Sequence, residues 1–355
     1  MSVTEIRSVK IFDGWGLSET KSVFFRDGEF VKPTTESKVI DGKGLALLPG
    51  LIDSHIHLSG KTNLGKASFY GVVGLMDMAT QDPSVVDSLR NALDLPIIRS
   101  SYRAASPSDS HHAEKMGTPI IETAENARAF VKEQLNFGAD YIKVVAPDRP
   151  DSSKFGVNTL RAVVDAAHES NKKVIVHAVT TAAYNFILGS GIDVVTHLPL
   201  NGVLTQAVAE KLAKEDIVCV PTLVMMEGMS KRLKFITKGK IDFKNSCESF
   251  KVLKEAGVRI IAGTDSNDDK KSPFQPIFGK ALHHELKLLC DLGFSPIESI
   301  RSATEIAADF WGLTEMGKIA PGKRADFSLI GGDPTSNIKD LGKIRQVWIR
   351  GKQIR

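Results

Sequence analysis

His55 and His57 in LLPGLIDSHIHL stand two residues apart in a run that reads as a β-strand. A period of two places both imidazoles on one face, with Ser54 and Ile56 on the other, so the pair can close on a single divalent ion. Four further residues end strand-like runs: Lys143 in DYIKVVA, His177 in KVIVHAV, His197 in DVVTHL and Asp265 in VRIIAGTDS. Neutral imidazole is a borderline-soft ligand suited to Zn²⁺, and Asp265 adds the hard anionic oxygen that hydrolytic metal sites carry. As a set, the six residues can hold two divalent ions. Lys143 is the odd member, because a dication repels an ammonium. It must point away, be neutral, or be converted into an anion, and a carbamate formed from CO₂ would bridge two cations.

Singly, each residue has a plainer reading. His177 or His197 alone is a hydrogen-bonded strand-end histidine, Asp265 is an N-cap for the segment that follows, and Lys143 is an edge residue with its stem along apolar surface. The set carries more weight than its members. Of nine histidines, four end apolar strand-like runs, in the order a barrel would gather at one rim.

The elements that must position them recur from residue 51 onward. Apolar runs at 51–58, 71–79, 96–104, 141–146, 173–179, 194–198, 218–224 and 258–266 read as eight strands, separated by stretches of helical period such as 123–139 and 159–171. His168 falls in the second of these, away from the rim. This alternation predicts an α/β fold, a (β/α)₈ TIM barrel over 51–316 with its active site at the C-terminal ends of the strands. Residues 1–50 and 317–355 read as short strands broken by turns; together they predict a small composite β-sandwich domain built from both termini. The helix-like 272–293 and 295–312 connect the two parts.

With 355 residues, 42% of them hydrophobic and 25% charged, the chain is globular and long enough for one large core plus a smaller module. A net charge of +4 gives no reason to expect nucleic acid or a membrane surface as partner. The basic run KRLKFITKGKIDFK (231–244) reads as a solvated face. The start, MSVTEIRSVKIF, lacks the layout of a signal peptide, and no apolar run approaches the ~18 residues that span a bilayer, so a cytoplasmic protein is expected. Cys219, Cys247 and Cys290 are odd in number and widely spaced, which argues against a disulfide framework or a cysteine zinc site.

The motifs resemble those of the amidohydrolase superfamily over nearly the whole chain, in particular its metal-dependent prolidase-like and imidazolonepropionase-like branch. LLPGLIDSHIHL is similar to the opening PGxIDxHxH, YIKV to the strand of the carboxylated lysine, VHAV and VTHL to the fifth- and sixth-strand histidine motifs, and AGTDS to the final aspartate motif. EMGKIAPGKRADFSLIGGDP resembles the glycine-rich stretch of the small β-domain. The resemblance implies a binuclear Zn²⁺ centre, with His55, His57 and Asp265 on the more buried ion, His177 and His197 on the other, and carboxylated Lys143 between them. Asp265 would then be both a ligand and the base that takes a proton from a metal-acidified water.

Three departures bear on substrate. Met76-Asp77 stands where the branch usually has arginine before the strand-two aspartate, Thr196 where it often has glutamate, and SPSDSHHAEKMG replaces a glycine-rich histidine loop. His111, His112, Tyr184 and Thr222 are the expected substrate contacts, with Met225 alongside, by their positions after strands three, five and seven. The expected activity is hydrolysis of an amide-type bond in a small-molecule substrate: a dipeptide, an N-acyl amino acid or a cyclic amide. The alternatives are deamination, lactone or phosphotriester hydrolysis, or a lyase-type step at the same site. A non-catalytic scaffold is disfavoured because all six ligand candidates are present. A homo-oligomer is left open.

Overall fold

The computed structural model describes residues 2–80, 82–90 and 92–355. Five strands come first: β1 (Val3–Ile11), β2 (Lys21–Arg26), β3 (Glu29–Val31), β4 (Ser37–Asp41) and β5 (Leu45–Pro49). The next eight are β6 (Leu51–Ile56), β7 (Val72–Asp77), β8 (Ile97–Ser100), β9 (Ala104–Ala105), β10 (Ile142–Val145), β11 (Val174–His177), β12 (Val194–Thr196) and β13 (Val218–Val220). Then, after a helical stretch, come β14 (Phe327–Gly331), β15 (Ile344–Ile349) and β16 (Lys352–Gln353).

The middle strands are parallel and run in sequence order, β6-β7-β8 in one sheet and β9-β10-β11-β12-β13 in another. They are buried along their length, because a parallel sheet sandwiched between helices and its own interior shows neither face to water. Inside lie Ile52, Val73, Met76, Ile175, Val194, Val218, Val220 and Ile261, and near the start of β10 the ring of Trp311 packs on Tyr141 at 5.1 Å. Outside, amphipathic helices such as Ala124–Phe137 and Val157–His168 cover the strands, the first started by a Thr123 cap and stopped at Gly138, whose φ of 86° suits only glycine without strain.

Three expected strands differ. The third run divides at Tyr102 (φ 60°) into β8, which pairs with β7, and β9, which pairs with β10. The seventh stops at Val220, since Pro221 brings no backbone donor and Thr222 turns left-handed (φ 45°) into the helix Leu223–Leu233. The eighth, 258–266, forms isolated bridges, yet its backbone bonds both neighbours: Cys219 N to Arg259 O (2.9 Å) on one side and Ser54 N to Ala262 O (3.0 Å) and His57 N to Ser266 O (2.8 Å) on the other. That segment joins the two parallel sheets. The stretches at 272–293 and 295–312 shorten to the helices Lys280–Asp291, Pro296–Ser302 and Glu305–Trp311.

The terminal strands form one sheet ordered β16-β15-β14-β5-β1-β2-β3, with β4 also on β1. β1 is interrupted at Ser8 (φ 61°); Val3–Arg7 pair with β4, and Lys10–Ile11 pair with β5. Both halves of the sheet feed one core, in which Phe25 meets Phe327 at 5.5 Å and Trp348 at 5.3 Å. Phe12, Ala46, Leu48, Ile330 and Ile344 belong instead to the large cluster beneath the barrel helices, so the two parts share packing. Among the described residues no helix is long and apolar enough to cross a membrane, and the three cysteines are unpaired.

Candidate metal centre

The C-terminal ends of the parallel strands, with the loop after β9, bring five imidazoles into a row. Ring centroids lie 5.4 Å apart for His57 and His55, 4.8 Å for His55 and His197, 4.3 Å for His197 and His177, and 4.6 Å for His177 and His112. Asp265 sits across from them. Its Oδ1 is 3.3 Å from His55 Nε2 and 3.0 Å from His57 Nε2, and ligand atoms of His55, His197 and Asp265 all lie within 4.8 Å of one another.

The protonation pattern of this cluster calls for a cation. His57 Nδ1 lies 2.8 Å from the Ala79 carbonyl oxygen, which accepts only from a protonated nitrogen, so Nε2 is left facing the Asp265 carboxylate. A lone pair and an anionic oxygen at that distance repel unless a proton or a metal ion lies between them. Burial works against charge on His57, but the Asp265 carboxylate and the Ala79 carbonyl outweigh it and raise its pKa. His55 goes the other way: burial, reinforced by Lys143, pushes it down to about 3. Burial and neighbouring imidazoles hold His177 and His197 well below their ordinary value, and His112 falls to about 4. Asp265 stays ionised because His55 and His57 overcome the cost of its burial.

Both ring nitrogens of His55 are buried and lack a hydrogen-bond partner. Nε2 reaches Asp265 Oδ1 in distance but not in hydrogen-bond geometry. An orphaned buried imidazole costs about 1–3 kcal/mol unless something satisfies it. Neutral imidazoles converging with an ionised carboxylate are the donor set of a divalent cation, so the residues present fit a metal.

Around the cluster, backbone and polar groups hold the segments of His55 and Asp265 and the side chains of His57, His197 and Lys143. Asp53 accepts from His55 N (3.2 Å), Thr264 N (3.0 Å) and Thr264 Oγ1 (2.7 Å), tying the strand of His55 to the segment of Asp265. Gly263 makes that approach feasible: a Cβ there would sit 2.5 Å from Val220 Cγ1 and 2.8 Å from His55 N. His197 Nδ1 is 2.7 Å from Thr222 Oγ1, and its carbonyl accepts the Tyr184 hydroxyl at 2.5 Å. Lys143 Nζ donates to Thr196 Oγ1 at 2.8 Å, and burial lowers its pKa to about 7.

The expected substrate contacts divide. His112 enters the imidazole row, whereas His111 is exposed beside it. Tyr184 and Thr222 are fully buried and act on His197, so neither lines an open pocket; each has turned inward at a strand end where position alone suggested a mouth residue. Met225 packs with Leu200 and Met226 instead. The departures also find places. Thr196 is the partner of Lys143, Met76 fills the barrel interior, and Asp77 accepts from Leu58 N (2.8 Å) and Ser100 Oγ (2.5 Å), fixing the chain just past His57. Sequence reasoning passed over Asp53, although its place two residues before His55 sets it on the same strand face. It also passed over Glu285, whose carboxylate caps Leu223 N (2.9 Å) and Val224 N (2.7 Å) and so holds the turn of Thr222; nothing in the local sequence announces that role.

A parallel α/β barrel with a histidine and aspartate cluster at its strand ends defines a class of metal-site enzyme folds. The Amidohydrolase family model matches residues 46–354, and the chain belongs to that family. Imidazolonepropionase of Deinococcus deserti is 29% identical over 216 residues, which are 58% of this chain and 47% of that protein. Adenine deaminase of Thermosipho africanus is 23% identical over 323 residues, 89% of this chain and 52% of that protein. The chain therefore spans about half the length of these curated relatives. Among solved structures, a Xaa-Pro dipeptidase superposes with a TM-score of 0.83 at 20% identity, covering 99% of both chains.

Proposed function

We propose that the chain is a metal-dependent hydrolase of an amide-type bond, acting on a dipeptide, an N-acyl amino acid or a cyclic amide. The observation that carries this reading is Asp265 Oδ1 set between the Nε2 atoms of His55 and His57, with the nitrogens of His55 otherwise unsatisfied. His55, His57 and Asp265 would hold one divalent ion, His177 and His197 a second, with Zn²⁺ the best match to imidazole donors. Bound there, such ions supply Lewis acidity and a water whose pKa falls toward 7. Asp265, ionised and facing the cluster, is placed to accept a proton and return it to a leaving nitrogen. Thr222 and the Ala79 carbonyl keep the imidazole rings oriented, and His112 reaches the row from the loop after the third strand.

Lys143 is read as a carbamate bridge. Burial brings its pKa to about 7, so the neutral amine is available at physiological pH. Nζ bonds the carbon of CO₂, one C=O π pair moves onto oxygen to give the carboxylate, and one proton leaves to solvent. The resemblance of this strand to the family motif and the poor fit of an ammonium beside dications support this assignment. Residues 51–316 are read as the catalytic barrel and 1–50 with 317–355 as its companion module, supported by the β5–β14 pairing that joins the two terminal segments.

The Xaa-Pro dipeptidase among the structural neighbours favours peptide-like substrates, and the adenine deaminase relatives are the ground for a second reading, loss of ammonia from an aminated ring. The test is a screen of Zn²⁺-loaded protein, grown with bicarbonate, against dipeptides, N-acyl amino acids, cyclic amides, lactones and aminopurines, with Asp265→Asn as blank. Amide hydrolysis absent from the blank supports the proposal; ammonia release from aminopurines alone replaces it with the second reading. Lys143→Ala should lose metal and activity together, and a variant that keeps both overturns the carbamate.

A further inference from the structure

The basic run at 231–244 is solvated, and it concentrates the charge of the chain. It holds six basic residues, Lys231, Arg232, Lys234, Lys238, Lys240 and Lys244, against one acidic, Asp242, for a local charge of +5 in a chain whose total is +4; Lys231 is paired with Glu227 at 2.7 Å, one turn before the run. The remainder of the protein is therefore slightly acidic, and the positive charge is concentrated on one excursion. At its tip stand Phe235 and Ile236, 89% and 78% exposed, the most exposed large hydrophobic residues among those described.

The topology says where this tip points. The helix Leu223–Leu233 starts at Thr222, on the rim of the metal centre, and the chain returns to the same rim, where Asp242 N bonds Leu200 O (2.9 Å) just beyond β12. Only then does the helix Phe243–Glu255 descend toward the start of the eighth segment. Eleven helical residues rise about 16 Å, so 234–240 form the end of a hairpin that leaves and rejoins the mouth side. Its base is packed: Leu200, Met225 and Met226 gather Met229, Ile241, Phe243 and Phe274, and Gly228 lies so close to Phe274 that a Cβ would overlap the ring. The base is packed while the tip offers its two large apolar side chains to water.

We propose that this tip docks the protein on an anionic lipid surface, with Phe235 and Ile236 entering the interfacial layer and the surrounding cations meeting lipid phosphates. The composition favours lipid over a protein partner. Five of the six cations are lysines, which protein interfaces deplete, and two apolar side chains fall far short of the ~800 Å² per partner that a stable protein contact buries. Shallow insertion beside a polybasic ring needs neither a broad patch nor shape complementarity. Docking of this kind is peripheral, requires no spanning helix and is independent of the reaction proposed above.

The test is co-sedimentation of the full chain with vesicles of phosphatidylcholine containing phosphatidylglycerol, against phosphatidylcholine alone, at low and high salt. Each basic residue near such a surface contributes roughly fivefold to binding, so K238Q/K240Q should weaken it roughly 25-fold. F235S/I236S should abolish sedimentation while circular dichroism stays unchanged, since both side chains are exposed. Binding to the anionic vesicles that salt and F235S/I236S remove and K238Q/K240Q weakens supports the proposal. Absence of sedimentation at low salt, or equal binding by wild type and F235S/I236S, overturns it. Sedimentation equilibrium on the same samples provides a further arm: bare vesicles together with self-association that F235S/I236S removes would assign the tip to a second copy of the chain instead.

Discussion

Replacing Thr222 by valine tests the metal centre without touching a candidate ligand. Thr222 Oγ1 lies 2.7 Å from His197 Nδ1, and both groups are buried. With the imidazole proton assigned to Nδ1, the hydroxyl oxygen accepts it and Nε2 keeps its lone pair for the cluster. Valine has nearly the same shape and the same branching at Cβ, so the left-handed backbone at φ 45° is no more strained than before. What changes is one buried donor left unsatisfied, a loss of about 1–3 kcal/mol. Removing the outer partner of a metal-bound histidine costs about 10–100-fold in affinity, or about 1.4–2.8 kcal/mol, and the two figures agree. Zinc competition with a chromophoric chelator at neutral pH measures the change, and Thr222→Ser should restore most of it. Wild-type zinc affinity in Thr222→Val would refute an orienting role for the hydroxyl.

Three further outcomes follow from the same geometry. Lys143 has a folded pKa of about 7 against an ordinary value of 10.5, so below pH 7 both folded and unfolded chains carry its proton and the full burial cost is present. Between pH 7 and 10.5 only the unfolded chain does, and the cost fades as pH rises; urea unfolding of metal-free protein should show Lys143→Met more stable by a margin on the order of 4–5 kcal/mol at pH 7 that closes toward pH 10.5, and a pH-independent margin would contradict the burial cost. Gly263→Ala forces a methyl to 2.5 Å from Val220 Cγ1 and 2.8 Å from His55 N, so it should destabilise by about 1–3 kcal/mol in denaturant titration and weaken zinc binding, because it separates Asp265 from His55. Glu285→Ala strips two buried amides of their acceptor and should cost about 2–4 kcal/mol by thermal or urea unfolding, with Glu285→Gln recovering part; an unperturbed midpoint would show the helix Leu223–Leu233 capped by other means.

The candidate ligands were legible in the sequence because each ends a run of apolar residues, where period and strand length fix which side chain reaches the rim. Period alone set His55 and His57 together, strand-end position gathered His177, His197, Lys143 and Asp265 with them, and the motif resemblance implied how the six divide between two ions. Outside the strands that logic fails. Tyr184 and Thr222 follow strands as mouth residues should, but their direction depends on local backbone: Pro221 and a left-handed Thr222 aim one hydroxyl at His197 Nδ1, and the cap at Thr180 turns Tyr184 onto the His197 carbonyl. The eighth run reads as a strand, yet its ladder is broken where Gly263 and Asp265 turn toward His55. Glu285 lies 62 residues from the amide of Leu223 that it caps, a contact that only the closed fold creates.

Backbone strain ties these observations together. Ten non-glycine residues among those described have positive φ, and three of them are His197 (74°), Thr222 (45°) and Asp265 (60°), at the ends of the sixth, seventh and eighth barrel segments. Such conformations cost about 1–3 kcal/mol each and persist only where the surroundings over-determine them. These three are over-determined: His197 N bonds Val220 O at 2.8 Å, Asp265 N bonds His55 O at 2.8 Å, and Asn267 Nδ2 holds the Asp265 carbonyl at 2.8 Å, while the helix beyond Thr222 is held by Glu285. An extended backbone would carry each side chain along the strand's alternation, into the interior or onto the outer helices. The left-handed turn redirects it across the rim, toward neighbours from other strands. The strain sits where side chains must converge rather than alternate. The turns also lean on their neighbours: the bond holding His197 comes from the strand leading to Thr222, and the bond holding Asp265 comes from His55, whose ring faces the same carboxylate. Loosening the turn at Thr222 should therefore loosen His197, and displacing His55 should loosen Asp265.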